Sequence, residues 1–155
     1  MQDNLINYEK GIRFECKSSG NCCVSRDSYG FVYLSDIDIK RFAKFFNLSI
    51  NEFKTKYCKI TDGFIHLIEK SELNGKCIFL KHNKCSVYKS RPTQCRTWPF
   101  WNENMNAKVW NKDISVNCPG VGEGKLFRKN EIDKLLKKDL DNEKSIQRKR
   151  IIPQK

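Results

Sequence analysis

Apolar residues recur along this chain at two periods, and the change between them outlines its elements. Ile39, Phe42, Ala43 and Phe46 fall at i, i+3, i+4 and i+7, the spacing of one face of an α-helix. Ser35 precedes the run with Asp38 three residues on, close to the reciprocal cap that satisfies the first N–H groups of a helix, and Asn47 marks its end. A second start, Ser49 with Glu52, opens a helix with Ile50, Phe53 and Tyr57 on its apolar side. Cys58 closes that helix and reads as a partly buried free thiol.

Between and after these helices the pattern shortens to strand-like runs. Gly30 to Leu34 and Gly63 to Ile68 are rich in aromatic and β-branched residues, and Asn74-Gly75 has the turn chemistry to lead back into Cys77 to Leu80 as a hairpin. Val109-Trp110 and Ile114 to Val116 predict one or two more short strands. From Leu126 and Phe127 to about Arg148 the period returns to that of a helix, basic, with Ile132, Leu135, Leu136 and Leu140 on one face. Residues 1–15 are polar with Ile12 and Phe14 as anchors, and the tail beyond Arg148 is expected to fray. The pattern predicts an α+β fold, a small antiparallel sheet with flanking helices. Residues 1–124 form a cysteine-bearing domain, and residues 125–155 a basic helix and tail.

Composition changes this picture in one respect. The chain has 155 residues, of which 39% are hydrophobic and 31% charged, so the core is modest and needs a staple. Eight cysteines supply candidates for one. No basic stretch followed by an apolar run opens the chain, and no run approaches the ~18–20 apolar residues of a membrane span. A cytoplasmic, reducing setting follows, in which grouped cysteines act as ligands more often than as disulfides; paired disulfides remain the rival. The net charge is +12, and the last 31 residues carry eleven Lys and Arg against five Asp and Glu. A solvated lysine-rich helix accounts for this, with nucleic acid as the weaker alternative partner beside an unidentified protein or small molecule.

The cysteines lie beside turns and breakers rather than inside periodic runs. Cys16-Lys-Ser-Ser19-Gly20-Asn-Cys22-Cys23 curls at Gly20, and Cys77, Cys85 and Cys95 follow, with Arg91-Pro92 forcing an extended or turning chain before Cys95. Cys118-Pro-Gly ends the set. Thiolates suit zinc, iron–sulfur clusters or copper(I). The intervals are wider than the close pairs of structural zinc and lack a ferredoxin run, so spacing indicates a metal site and leaves the metal open. Lys81, Lys84, Arg91 and Arg96 could neutralise a thiolate centre by donating to sulfur. Arg91 and Arg96 could equally form ordinary ion pairs or hold an anionic group. Trp98-Pro-Phe-Trp101 could wall such a site from water. His66 reads as a packed residue, His82 as an outside candidate ligand, and Gly120 to Gly124 as a turn. The sequence contains no G-x-S-x-G and no H-E-x-x-H.

Taken together, Cys16…Gly20-x-Cys22-Cys23, Cys77-x-Phe-Leu, Cys85-x-Val-Tyr, Arg91-Pro92-x-x-Cys95-Arg96-x-x-Pro99-Phe100 and Cys118-Pro-Gly resemble the YkgJ-type cysteine-cluster family over roughly residues 14–124. The resemblance implies zinc or iron chelation, with an iron–sulfur cluster ahead of zinc and Cys16, Cys22, Cys23, Cys77, Cys85, Cys95 and Cys118 as ligands. Similar clusters in flagellin lysine methylases imply a route to redox or protein-modifying chemistry. The alternative is a structural zinc module that binds a partner through its basic surface. The family pattern C-x-x-C-G-x-C-C has its second cysteine where this chain has Ser19, and Cys58 is the candidate to stand in for it.

Overall fold

The computed structural model describes residues 4–17, 31–70, 76–82 and 84–152. Its elements are β1 (Ile12–Phe14), α1 (Asp36–Phe46), α2 (Ile50–Tyr57), β2 (Cys58–Thr61), β3 (Phe64–Leu67), β4 (Glu69–Lys70), β5 (Lys76–Cys77), β6 (Leu80–Lys81), β7 (Lys84–Cys85), α3 (Thr93–Thr97), α4 (Ala107–Val109), α5 (Ser115–Asn117), β8 (Lys125–Phe127) and α6 (Lys129–Arg148). A π-helical turn, Trp110–Ile114, joins α4 to α5. The fold is α+β, but the expected single sheet is replaced, among the described residues, by antiparallel pairs: β1 with β8, β2 with β3, β4 with β5 and β6 with β7.

The two first helices form as their caps dictate. Ser35 Oγ accepts from Asp38 N–H while Asp38 Oδ2 accepts from Ser35 N–H, and Ser49 and Glu52 repeat the exchange. Asn47 ends α1 in the left-handed conformation, φ 53°, which Asn tolerates better than most residues. Ile39, Phe42 and Ala43 turn inward from α1. On α2 only Phe53 is buried, whereas Ile50 stays 40% exposed. Phe42 lies at the centre of an aromatic stack, 5.2 Å from Phe53 and 5.4 Å from Phe79. Burying a phenylalanine this fully contributes about 2–3 kcal/mol. Val32, Leu34, Leu67 and Val87 complete this first core.

Of the strand expected at Gly30 to Leu34, Gly30 lies outside the described residues, and the rest forms an isolated bridge, Tyr33 to His66, flanked by bonds from Leu67 N to Val32 O and Leu34 N to Ile65 O. The other edge of β3 pairs with β2, a strand whose four-residue run begins at the residue that closes α2. The hairpin expected across Asn74-Gly75 is present in the pairing of Glu69 with Cys77 and Lys70 with Lys76, while its turn lies outside the described residues.

A second core holds Phe100, Met105, Trp110, Ile114 and Ile132. It corrects the expected strands at Val109-Trp110 and Ile114 to Val116, because the chain there is helical from Ala107 to Asn117. Asn106 caps that stretch through its side chain, and Trp110 and Ile114, four residues apart, fall on one buried face. Lys125 to Phe127 are likewise strand rather than helix. They pair with β1, which lets Phe127 pack beside Phe14 and Phe100, and α6 starts only after Glu131 bonds back to Arg128 N–H at 2.8 Å. Ile6 and Tyr8 join this core, so the N-terminal segment has more anchors than Ile12 and Phe14.

The tail does not fray at Arg148. Ile151 N–H donates to Gly63 O at 2.8 Å, Arg150 Nε to Asp62 O at 3.0 Å, and Lys149 pairs with Asp36 at 3.1 Å. Thus α6 packs its first half on the second core and delivers its end to the β2–β3 turn beside the first. No helix among the described residues is long and apolar enough to cross a membrane.

Candidate metal centre

Three of the cysteines border the first core from three short elements. Cys77 ends β5 opposite Glu69, Cys85 ends β7 opposite Leu80, and Cys95 lies in α3. All three are partly buried and pack against the aromatic stack. The chain between them is held tightly: Ser86 donates to Phe79 O through both its N–H, at 2.9 Å, and its Oγ, at 2.7 Å. The Arg91-Pro92 prediction holds, with Arg91 at φ −54°, ψ 148° and Pro92 extended, after which α3 begins and carries Cys95.

Cys58 borders the same core. Burial pushes its thiol up to about 11, with Lys54 pulling slightly the other way, so it is uncharged near neutrality. That is the behaviour of a packed thiol, as the sequence suggests.

Cys16 and Cys118 flank a backbone pairing beside the second core. Phe14 bridges Val121, Glu15 N–H donates to Gly120 O at 3.1 Å, and Gly122 N–H to Arg13 O at 2.9 Å. Continuing that antiparallel register sets Cys16 opposite Pro119, next to Cys118. Gly120 is required here, since a Cβ would come 1.8 Å from Glu15 O. The segment from Gly120 to Gly124 is the expected turn, with Gly122 and Gly124 at positive φ.

Trp98, three residues after Cys95, joins the two regions. It packs with the second core while Cys95 packs with the first, and its ring meets Trp101 edge-on at 4.8 Å. The Trp98 Nε1–H is buried with no acceptor among the described residues. By contrast, Trp101 Nε1–H is satisfied by Gln94 O and Thr97 Oγ1.

Cys22, Cys23 and Ser19 lie outside the described residues. Among the described residues, no three His, Cys, Asp or Glu side chains are grouped closely enough to hold a metal. The donor chemistry fits a soft metal and a buried N–H lacks an acceptor beside Cys95, but closing a site needs more than the described cysteines supply. His66 is accounted for otherwise. It is 2% exposed, stacks on Phe31 at 4.1 Å, and has Nε2 on Thr61 Oγ1 at 2.8 Å and Nδ1 on Leu67 O at 2.9 Å. His82 is exposed at φ 50° in the β6–β7 turn, and Lys81 and Lys84 are exposed beside it.

Among the described residues the two arginines bond chiefly to backbone carbonyls. Arg96 donates from Nε to Arg91 O at 2.8 Å and from Nη2 to Lys89 O at 2.7 Å. Arg91 donates to Tyr88 O at 2.8 Å and lies over the Tyr88 ring at 3.9 Å. Two more residues complete this corner, Asp38, which the sequence offered only as a helix cap, and Arg41, which it did not single out. Asp38, fully buried, accepts from Arg41 Nη1, from Ser35 N–H and from both Thr93 N–H and Thr93 Oγ1, and Arg41 also donates to Arg91 O at 3.1 Å. Asp38 thereby fastens α1 to the start of α3. The only local signal for this was the i, i+3 spacing of Asp38 and Arg41.

Residues 15–119 match the CxxCxxCC family, described as a "Putative zinc- or iron-chelating domain". That description supports metal binding and names zinc and iron alike. An uncharacterized protein of Methanocaldococcus jannaschii is 32% identical over 104 residues, covering 66% of this chain and 53% of the relative. The chain therefore spans about half the length of that curated relative. No solved structure matches.

Proposed function

Since the chain belongs to the CxxCxxCC family, we propose that it is a metal-binding protein whose cysteines hold an iron–sulfur cluster. The ligands are drawn from Cys16, Cys22, Cys23, Cys77, Cys85, Cys95 and Cys118, and residues 1–124 form the metal-binding unit with 125–155 as its basic helix and tail. The observation that carries this reading is that Cys77, Cys85 and Cys95, from three separate elements, border one core. Cys77, Cys85 and Cys95 are not themselves grouped closely enough to hold a metal, so the remaining cysteines of the set would complete the site.

The residues around the rim suit that role. Trp98 Nε1–H would donate to a sulfur, as N–H groups beside thiolate centres do. The Trp98–Trp101 pair would keep water from it. An iron–sulfur cluster would supply one-electron chemistry when bound. A structural zinc site is the second reading, admitted by the family description, which names zinc and iron alike, and supported by the exposed basic face of α6, which could meet a protein or nucleic-acid partner.

Single replacements test the assignment. Cys22→Ser and Cys95→Ser are expected to lose most of the bound metal and lower the melting temperature, because metal binding and folding are coupled. Cys58→Ser should keep the metal. Unchanged metal content in both ligand variants contradicts the proposal.

A further inference from the structure

Arg41, Arg91 and Arg96 converge on one short stretch of backbone from two helices and a turn. Arg41 Nη1 and Arg96 Nε both donate to the same atom, Arg91 O, at 3.1 and 2.8 Å. Arg91 is fixed by its own bond to Tyr88 O and by stacking on that ring. Three guanidinium groups thus share one corner, and the carboxylate nearest them, Asp38, already accepts from Arg41, Ser35 and Thr93. Among the described residues no carboxylate forms an ion pair with Arg91 or Arg96.

Like charges held together oppose one another, and here backbone carbonyls, the pairing of Arg41 with Asp38 and stacking fix them in place. Each guanidinium offers five N–H groups in a rigid fork, of which one or two are used internally. The corner is open to solvent: the Arg41 side chain is 31% exposed, and the Arg91 bond to Tyr88 and the Arg96 bond to Lys89 lie at the surface.

We propose that Arg41, Arg91 and Arg96 form a binding site for a phosphate-class oxyanion, either free phosphate or the terminal phosphate of a larger ligand. A tetrahedral dianion matches several forks at once and supplies counter-charge to Arg91 and Arg96, which form no ion pair among the described residues. The site is distinct from the proposed metal ligands and does not depend on which metal they hold.

Calorimetric titration of the full-length, metal-loaded protein at fixed ionic strength tests this, with inorganic phosphate and methyl phosphate as separate probes. Arg91→Gln is the informative variant, because Arg41 and Arg96 also brace the fold whereas Arg91 bonds one carbonyl and stacks on one ring. Saturable binding of one-to-one stoichiometry, weakened at least tenfold in Arg91→Gln with melting temperature and metal content unchanged, is the expected result. Methyl phosphate binding as tightly as phosphate would identify the terminal group of a larger ligand; a clear preference for phosphate would identify the free anion. Heat that never saturates, or saturable binding that Arg91→Gln leaves intact, overturns the site. Because metal content is read separately, either failure leaves the cysteine assignment standing.

Discussion

At the scale of single residues, burial decides what each polar group can do. Asp38 is tolerated inside the fold because its carboxylate oxygens meet fixed donors from Ser35, Arg41 and Thr93. Cys58 solves the same problem by remaining a thiol. Its pKa rises from 9.0 to about 11 in the folded protein through burial. The sign follows directly: the folded state holds the proton more tightly, so the stabilisation is complete below about pH 9 and is lost as pH climbs through 11. Two units at roughly 1.4 kcal/mol each set a ceiling of about 3 kcal/mol, which the partial exposure of the thiol reduces to the order of 1–2 kcal/mol. Denaturant unfolding between pH 8 and 11 should therefore show the parent protein losing about that much more stability than Cys58→Ala. Parallel pH profiles for the two would contradict the packed-thiol assignment.

At the scale of elements, the sequence was legible wherever a cap or a turn residue acts locally. Ser35 with Asp38, Ser49 with Glu52, and Asn47 satisfy backbone groups within a few positions of themselves, so their residues predict the structure directly. The segments misread were those whose conformation is set at long range. Trp110 and Ile114 favour strands intrinsically, yet the second core takes them four residues apart on one side of a helix. Lys125 to Phe127 continue a helical pattern but are claimed by β1, more than a hundred residues earlier. The tail is held the same way, at Gly63. That residue sits at φ +84°, where an added Cβ would lie 2.2 Å from Ile151 O. Gly63→Ala should cost about 1–2 kcal/mol from backbone conformation alone, plus the displaced tail. For a chain of this size each kcal/mol is about 2–4 °C in melting temperature. Removing residues 149–155 should erase the second part and keep the first. A Gly63→Ala effect of the same size with and without the tail would show that the docking contributes nothing.

At the scale of the whole molecule, two cores meet along α3, with Cys95 on one side and Trp98 on the other. The cysteines were legible in the sequence because thiols beside breakers are unusual as packing. The arginine corner was only half legible: Arg91 and Arg96 flank Cys95, but Arg41 comes from α1, and no local pattern links residues fifty positions apart. The account stands on the claim that this arrangement exists to hold a metal. The direct measurement is an absorbance spectrum with iron, zinc and acid-labile sulfide analysis on one anaerobically purified sample. Brown protein absorbing near ~400 nm, with iron and sulfide in matching stoichiometry, is the predicted result. Colourless protein with about one or two zinc ions would keep metal binding and replace the cluster with a structural site. Protein free of both metals, with its cysteines counted as disulfides, would contradict the account at its centre.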